Sequence, residues 1–178
     1  MSRLTMAHEK RPALALLGLG SNIGDRAANL RAALAGIAAF PDCRLLKAAG
    51  IFQTRPVGGA PGQDDFYNTG CQVETRLPPR ELLANAQRLE RELGRRRESE
   101  AAPWGPRTLD IDILLWEDLI LDEPDLTLPH PRLEERAFAL APLAELAPDA
   151  VHPASRLTVL ELLERLGNNN EIVCRLPL

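Results

Sequence analysis

Apolar and polar positions along the chain form short periodic segments separated by glycine, proline and acidic residues. The run from Ala13 to Leu19 is apolar and lies among glycines, which favours a buried strand over a helix. Residues 26–40 then place apolar side chains at helical spacing, between Asp25 at the helix start and Pro41 at its end. The first two predicted elements are therefore a strand and a helix.

The middle of the chain extends this succession. Residues 43–54 carry apolar positions between breakers and predict a second strand. Residues 55–65 contain two prolines and three glycines, which is the composition of a long loop. Residues 66–75 predict a third strand, and residues 79–94 predict a helix whose apolar side chains recur at core spacing.

The last predicted strand, residues 109–116, alternates as LDIDILLW, so that one side carries Leu109, Ile111, Ile113 and Leu115 and the other carries the two aspartates. The element order is strand-helix-strand-strand-helix-strand, the split βαβ plan. This order predicts an α+β, ferredoxin-like fold: a βαββαβ antiparallel sheet with two helices on one face. A hairpin at residues 117–121 and C-terminal helices over residues 133–146 and 158–166 complete it.

The size of the chain is that of one domain. With 178 residues, 45% hydrophobic and 26% charged, the composition is close to the globular average and far from that of disordered chains. We expect a single domain over residues 12–178, preceded by a loose, polar extension of residues 1–11.

The charge balance excludes a surface that is basic all over. The 21 basic and 25 acidic residues leave a net charge of −4, so a phosphate-binding site has to be local. No apolar stretch approaches the ~20 residues of a membrane helix, and no signal-peptide pattern is present. We therefore expect a cytoplasmic protein whose cysteines, Cys43, Cys71 and Cys174, are free thiols, since they are odd in number and far apart.

The sharpest chemical feature is the pair Asp110 and Asp112. The two-residue period of a strand places both carboxylates on one face, about 7 Å apart. An exposed, solvated strand edge is the more common reason for such a pair. The functional alternative is a magnesium site, because Mg²⁺ is typically held by one or two carboxylates together with substrate phosphates and water.

Arginines surround this pair in the sequence. A run of three, Arg95, Arg96 and Arg97, precedes the strand, and Arg107 lies three residues before Asp110. Guanidinium groups match phosphate oxygens bidentately, so this set indicates a metal-bound polyphosphate. A solvated, charge-rich loop is the alternative for the run. Arg107 fits that alternative less well, because it lies in a rigid segment directly after a proline.

Other candidate motifs are weaker. The segment GLGSNIGD matches neither the dinucleotide fingerprint nor the Walker A motif, and its glycines are best explained by a tight turn from strand to helix. His130 lies on a loop beside Arg132, where it is structural or solvated, or else contacts phosphate. The few aromatic residues are core candidates, although two of them could enclose a flat heterocycle.

These residues together resemble a known family, the 6-hydroxymethyl-7,8-dihydropterin pyrophosphokinases of folate biosynthesis. The similarity runs in the family's order from about Leu14 to Asp149, through the strings GLGSNIGD, FQTRPVG, DFYNTGCQVET, QRLERELGR, WGPRTLDIDILLW and LTLPHPRLEERAFALAPLAELAPD. The segment from WGPRTLDIDIL to the last of these strings is very specific to the family. The resemblance implies an ATP-dependent diphosphotransferase with the ferredoxin-like fold.

The resemblance also implies roles for individual residues. Asp110 and Asp112 would bind two Mg²⁺ ions between the ATP phosphates and the pterin hydroxyl, and Arg95 and Arg107 would hold phosphates. The residues implied on the ATP side are Gln87, Glu90, Arg97, Trp104, Ile113, Thr127, His130 and Arg136. Those implied around the pterin are Thr54, Pro56, Val57, Phe66, Asn68 and Phe138, with the two phenylalanines enclosing the ring.

Other classes of protein share parts of this pattern. The same plan serves RNA-binding and small regulatory domains, but residues 66–75 lack the aromatic motif of RNA-binding strands. A regulatory domain does not need two aspartates and Arg107 together. Another Mg²⁺-dependent nucleotidyl or phosphoryl transferase stays open on the aspartates alone. We expect a monomer that binds ATP and the pterin, and neither nucleic acid nor a membrane.

Overall fold

The structure is a computed structural model that describes residues 11–58, 62–95, 105–167 and 171–178. Strands and helices alternate along these residues. The strands are Ala13–Ser21 (β1), Cys43–Ala48 (β2), Ile51–Thr54 (β3), Phe66–Thr75 (β4), Asp110–Trp116 (β5), Leu121–Glu123 (β6), Leu126–Leu128 (β7) and Ile172–Leu176 (β8). The helices are Arg26–Ala38 (α1), Pro79–Glu92 (α2), Ala137–Leu146 (α3) and Val159–Leu166 (α4), with a 3-10 turn at Leu133–Glu135.

One antiparallel sheet organises the molecule. Its strand order is β5-β1-β4-β3-β8, and β2 pairs with the same edge of β4 as β3 does. With β2 and β3 taken as one position, the first four positions follow the order of a ferredoxin-like fold. The predicted fold class is therefore confirmed, and β6 and β7 form a separate hairpin.

Helices cover both faces of the sheet. On one face, α1 and α2 pack their apolar stripes, with buried Leu30, Ile37 and Leu82, against β1, β4 and β5. On the other face, α3 and α4 form a second core around Leu140 and Leu143. The cleft described below opens on this second face, beside the start of α3.

The prediction of one strand over residues 43–54 was wrong. The segment breaks between β2 and β3, where Ala49 donates its backbone N–H to the oxygen of Gly70 at 3.0 Å. Gly50 donates its own N–H away from the sheet, to a carboxylate oxygen of Glu145 on α3 at 3.0 Å. The register against β4 shifts across this break, because the chain contains one residue more than its partner strand.

Two further predictions need correction. In β5 the alternation ends at a bulge, since Leu17 pairs with Ile113 and Leu16 with Leu115. Leu115 therefore packs in the second core and not with Ile113, as expected from strict alternation. The hairpin lies at residues 121–128, just beyond the predicted segment, and β8 was not predicted.

Residues 1–10 of the expected extension lie outside the described part of the chain, and a single domain over residues 12–178 stays a prediction. The three cysteines are free thiols, as expected. Among the described residues, no helix combines the length and the apolar character that spanning a membrane requires.

Candidate active site

A pair of glycines forms the floor of a cleft next to the two aspartates. In the register of β1 with β5, Gly20 lies opposite Asp110 and Gly18 lies opposite Asp112. On the other side of β1, Gly20 lies opposite Asn68 of β4. A Cβ atom on Gly20 would come within 2.8 Å of the Asn68 Oδ1 atom. Gly20 thus keeps the space between Asp110 and Asn68 free of a further side chain, and Gly18 leaves room for the side chain of Leu114, 2.7 Å from where a Cβ would lie.

This structure corrects the prediction that the glycines serve a turn. Gly18 and Gly20 lie inside β1, and Gly24 is the glycine of the turn, with a φ of 68°. The clue was present in the sequence, because G-x-G has the same two-residue period as D-x-D. Only the pairing of β1 with β5 brings the two motifs side by side.

The cleft combines the aspartates with all six residues that the resemblance assigns to the pterin. It encloses about 790 Å³ when the open space at its mouth is included. All six residues expected around the pterin line it: Thr54, Pro56, Val57, Phe66, Asn68 and Phe138. Asp110, Asp112, Arg107 and Arg136 line the same cleft.

Asn68 and Thr54 form a polar corner of the cleft. The Asn68 amide nitrogen donates to the Thr54 hydroxyl at 2.8 Å, and both residues are buried. Phe66 and Phe138 come from β4 and α3 respectively. The cleft therefore offers hydrogen-bonding groups at one end and two aromatic rings, which suits a flat, polar heterocycle.

A buried network holds Asp110. Its two carboxylate oxygens accept hydrogen bonds from Arg95 and Arg107 respectively. Arg95 also donates to Glu90 at 2.8 Å, and Glu90 accepts the backbone N–H of Ile111 at 2.8 Å. Glu90 is fully buried and Arg95 is 6% exposed. The charges alternate through this network, so each buried ion has an oppositely charged partner.

The two aspartates have opposite pKa shifts. Burial raises the pKa of Asp110, but the charges and hydrogen bonds of Arg107 and Arg95 outweigh burial and hold this pKa below its ordinary value. Burial and, second, the charge of Asp110 raise the pKa of Asp112 to about 7, against the charge of Arg136. Arg136 lies 3.9 Å from the Asp112 Oδ2 atom, and the Asp112 side chain is 40% exposed. Asp112 is thus the less compensated anion of the pair.

The pair fits a hard divalent cation. Two carboxylates lie on one strand face at an open cleft, and the cationic partner of Asp112, Arg136, lies as far away as 3.9 Å. The described residues contain no cluster of three or more His, Cys, Asp or Glu side chains that could hold a metal ion by themselves. Such a donor set matches Mg²⁺, which completes its coordination with substrate oxygens and water.

Asn22, just after the glycines, connects the two segments that flank the cleft. Its side-chain oxygen accepts the Arg107 N–H at 2.6 Å, and its own N–H donates to the Arg107 oxygen at 3.0 Å. Its amide nitrogen donates to Gln63 and to the backbone of Asp64, both at 3.4 Å. Sequence reasoning missed Asn22, because only the fold brings residues 22, 63 and 107 together.

The residues expected on the ATP side are more dispersed. Arg136 lines the cleft, whereas Gln87, Ile113, Thr127 and His130 are not among the described residues that line it. Arg97 and Trp104 lie outside the described part of the chain.

Two of these residues are placed away from solvent. Ile113 is buried in the core beneath the sheet, and Glu90 contacts Arg95 and Ile111, as described above.

His130 donates its backbone N–H to the Leu114 oxygen at 2.9 Å. Burial and, second, the charge of Arg136 lower the pKa of His130 to about 4. His130 is therefore neutral at physiological pH.

Arg107 has a feature that points to a ligand. Its Nε atom is buried and has no hydrogen-bond partner within the described part of the chain, although its Nη1 atom is occupied by Asp110. An unpaired buried donor carries a free-energy penalty. An anionic oxygen entering the cleft could remove that penalty.

Comparison with known proteins adds a family to this geometry. The model of the family described as 7,8-dihydro-6-hydroxymethylpterin-pyrophosphokinase matches residues 16–148. A 2-amino-4-hydroxy-6-hydroxymethyldihydropteridine pyrophosphokinase of Methylorubrum extorquens is 44% identical over 152 residues, 85% of this chain and 92% of the relative. One of Bacillus subtilis is 45% identical over 133 residues, 75% of this chain and 77% of the relative.

Solved structures show the same fold. A crystal structure of a Plasmodium falciparum HPPK-DHPS triple mutant with pteroate matches with a TM-score of 0.68 and 16% identity. The match covers 91% of this chain and 44% of the Plasmodium chain, so this chain spans less than half of that two-part protein.

Proposed function

The chain belongs to the 7,8-dihydro-6-hydroxymethylpterin-pyrophosphokinase family, and on this premise we propose its reaction in detail. The enzyme is a pyrophosphokinase of folate biosynthesis. In our proposal it transfers diphosphate from ATP to the hydroxymethyl group of 6-hydroxymethyl-7,8-dihydropterin and releases AMP, in a Mg²⁺-dependent reaction.

One observation carries the proposal: the six residues expected around the pterin line the same cleft as Asp110, Asp112 and Arg107. A diphosphate transfer needs both a flat-ring site and a polyanion site, close enough for the hydroxyl oxygen to reach a phosphorus atom. The cleft provides both within about 790 Å³. Proximity of this kind supplies a large part of a rate enhancement.

The pterin would bind in the half of the cleft that contains Asn68. The Asn68 Oδ1 atom faces the space above Gly20, where it can accept a hydrogen bond from a ring amino group. Phe66 and Phe138 would cover the two faces of the ring, since offset aromatic stacking suits a flat heterocycle. Thr54 orients the Asn68 amide by accepting its hydrogen bond.

Asp110, Asp112 and the arginines would form the phosphate half. The two aspartates are the residues that would hold the two Mg²⁺ ions, which when bound neutralise phosphate charge and polarise the phosphate oxygens. Arg107 would hold phosphate oxygens through its buried Nε donor. Arg95 and Glu90 would keep Asp110 in place from behind.

The proposed chemistry is a single in-line displacement. The pterin hydroxyl oxygen forms a bond to the β-phosphorus of ATP, the bond between that phosphorus and the bridging oxygen of the α-phosphate breaks, and AMP leaves. The hydroxyl proton passes to water in the same step, so that the products are the pterin diphosphate, AMP and one proton. The chain's own residues align the two substrates, compensate charge and exclude water.

The test is a product assay with purified protein, ATP, Mg²⁺ and 6-hydroxymethyl-7,8-dihydropterin, with the nucleotides separated by chromatography. We expect AMP in amounts equal to the pterin diphosphate, and none when the pterin is omitted. ADP as the product would refute diphosphate transfer. Folded protein that forms neither nucleotide would refute the proposal as a whole.

Metal dependence is tested by removing Mg²⁺ with EDTA and adding it back. Asp112→Asn, which keeps the shape of the side chain and removes its charge, is expected to shift the Mg²⁺ requirement to higher concentration. Asp118→Asn, at an exposed position beyond β5, is the matched control. Activity that survives EDTA would refute the metal dependence, and equal Mg²⁺ curves for both variants would refute the role of Asp112.

A further inference from the structure

The C-terminal strand β8 lies against the edge of β3, beside the cleft. It pairs antiparallel with β3, with Thr54 opposite Ile172. One step further, Arg55 donates its backbone N–H to the oxygen of Glu171 at 2.8 Å. Thr54 and Arg55 both line the cleft. The C-terminal segment thus holds the residues at which the cleft wall begins, although it lies beyond residues 16–148 of the family match.

The same strand is linked to the other end of that wall. The Gln53 amide nitrogen donates to the Asp65 carboxylate at 2.7 Å, and Asp65 immediately precedes Phe66. The Cys174 thiol donates to the oxygen of the same Gln53 amide at 3.6 Å. Gln53 therefore connects β8 to Asp65, the residue before Phe66. Strand β8 thus contacts one end of the wall, Thr54 and Arg55, directly. It contacts the other end through the Gln53 side chain.

A three-part contact fixes β8 to the opposite wall. Arg175 on β8 forms an ion pair with Glu145 of α3, and its Nη2 atom donates to the Glu145 Oε2 atom at 3.2 Å. The same oxygen accepts the Gly50 N–H at 3.0 Å. The guanidinium lies directly over Gly50, where a Cβ atom would come within 2.8 Å of it. We call Gly50, Glu145 and Arg175 the clasp.

The clasp joins the elements that carry the two walls of the pterin half. Glu145 lies on α3, which also carries Phe138. Gly50 immediately precedes β3, whose last residue is Thr54. The distance between these walls decides how closely a flat ring is held, because dispersion contacts weaken steeply with a gap of 0.5–1 Å.

From these contacts we infer that Arg175 and β8 are positioning elements that set the width of the pterin half of the cleft. This inference rests on the proposed function, since it assigns that half to the pterin. None of the clasp residues lines the cleft, so the clasp acts through Thr54 and Phe138 and touches no substrate. The effect should appear in pterin binding and not in the chemical step.

The main test is Arg175→Ala, which removes the guanidinium from the clasp and keeps both the backbone pairing of β8 and the Gly50 bond to Glu145. We expect the KM for the pterin to rise about fivefold, while the KM for ATP and kcat change by less than about twofold. Direct titration of pterin fluorescence in the presence of Mg²⁺ and a non-hydrolysable ATP analogue should show the same loss of affinity. Circular dichroism and the thermal midpoint verify that the variant is folded.

The matched control is Arg44→Ala. Arg44 also forms an exposed ion pair within the sheet, to Glu74 at 3.1 Å, and its side chain is 69% exposed against 56% for Arg175. This pair joins β2 to β4 and does not reach the cleft, so its loss should leave both KM values unchanged. Equal effects of the two variants on pterin affinity would overturn the inference.

A second variant tests the geometry of the clasp. Gly50→Ala places a methyl group where the Arg175 guanidinium lies, so it should displace that group and raise the pterin KM as Arg175→Ala does. In the double variant the obstacle is gone, so the effect should not exceed that of Arg175→Ala alone. Fully additive effects would show that the two positions act independently and would overturn the clasp.

Hydrogen exchange separates failure of this inference from failure of the proposed function. Amides of residues 51–57 should exchange faster in Arg175→Ala than in the wild type or in Arg44→Ala. A wild-type protein that binds the pterin neither alone nor together with Mg²⁺ and a non-hydrolysable ATP analogue refutes the proposed function, and the exchange rates still decide whether the clasp holds the wall. If Arg175→Ala leaves the exchange rates of residues 51–57 unchanged, the positioning role of Arg175 is refuted. It is also refuted if the wild type binds the pterin and Arg175→Ala binds it with the same affinity.

Discussion

Glu90 is the residue whose role is most changed by the structure, and its replacement by glutamine tests the buried network. Glu90 is fully buried on α2, where it holds Arg95 and the N–H of Ile111, both at 2.8 Å. Glu90→Gln keeps the shape of the side chain and one acceptor oxygen. It removes the charge that compensates Arg95 and places an NH₂ group beside donors.

The magnitude follows from the two contacts. Hydrogen bonds to charged groups contribute about 1.5–3 kcal/mol each, and breaking a buried ion pair from one side costs about 3–5 kcal/mol. Arg95 keeps Asp110 as a second partner, and glutamine keeps an acceptor for Ile111. We therefore expect the free energy of unfolding to fall by about 2–3 kcal/mol, at the low end of the range for buried pairs.

The catalytic effect should be separate from the effect on pterin binding. Without the Glu90 charge, Arg95 loses one of its anionic partners, so the geometry of Asp110, the carboxylate that we propose as a metal ligand, relaxes. We expect kcat to fall about tenfold or more, equivalent to about 1.4 kcal/mol or more of transition-state stabilisation. The dissociation constant of the pterin should stay within about twofold, because Glu90 touches none of the residues around the ring.

The assay is urea denaturation together with steady-state kinetics, with Glu92→Gln as the matched control. Glu92 lies on the same helix but is 61% exposed, in a long ion pair of 3.9 Å with Arg88, and such a pair contributes about 0.3–0.5 kcal/mol at most. If Glu90→Gln is as stable as Glu92→Gln, the network does not stabilise the fold as argued. If Glu90→Gln lowers pterin affinity together with kcat, the role of Glu90 extends beyond the phosphate half of the cleft.

Three further predictions follow from contacts described above. Gly20→Ala should raise the pterin KM about tenfold and leave the ATP KM unchanged, because its Cβ would lie 2.8 Å from Asn68 Oδ1. Equal changes in both KM values would refute the assignment of Gly20 to the pterin half of the cleft. His130, with a pKa lowered to about 4 by burial and by Arg136, stays neutral in the folded state while the unfolded chain takes up a proton below about pH 6.5. The free energy of unfolding of the wild type should thus fall as the pH is lowered from 6.5 to 4.5. In His130→Gln this fall should be smaller by about 1–2 kcal/mol. Parallel pH dependences of the two proteins in urea denaturation would refute this prediction. Burial raises the pKa of the Cys71 thiol and Cys174 is half-buried, so a thiol reagent should label Cys174 in the native protein and Cys71 only after unfolding, as mass spectrometry of peptides would show.

Periodicity predicted the elements whose structure depends on local pattern. The strand β4 has the predicted bounds, α1 begins after Asp25, whose side chain accepts the Ala28 N–H, and α2 ends before Gly94. In these segments the apolar spacing, the caps and the breakers agree with one another. The ferredoxin-like order followed from the succession of elements, because short connections leave few ways to pair the strands.

The missed features all depend on contacts between distant residues. The break at Gly50 is made by Glu145 of α3, and the bulge in β5 by its pairing with β1. Strand β8 is short and its side chains are only partly buried, so its pattern gives little signal. Glu90 lies next to an arginine-rich segment in the sequence, which hides the fact that the fold buries it.

The candidate site was predicted unevenly for a related reason. The residues expected around the pterin lie on β3, just after β3, on β4 and on α3, and the fold brings them into one cleft. Several residues assigned to ATP lie elsewhere, such as Ile113 in the core and Thr127 on β7. The sequence predicted that Ile113 faces away from the two aspartates, and this is confirmed, whereas strand β7 was not predicted.

The glycine floor has a consequence for inhibitors. A molecule that rests on Gly18 and Gly20 meets main-chain atoms, which every substitution leaves in place. A larger residue at Gly18 would put its Cβ 2.7 Å from Leu114, and one at Gly20 would meet Asn68. Resistance by mutation at these two positions would therefore disturb either the second core or the proposed substrate site. Inhibitor contacts with these two glycines should therefore be the contacts that resistance mutations remove least easily.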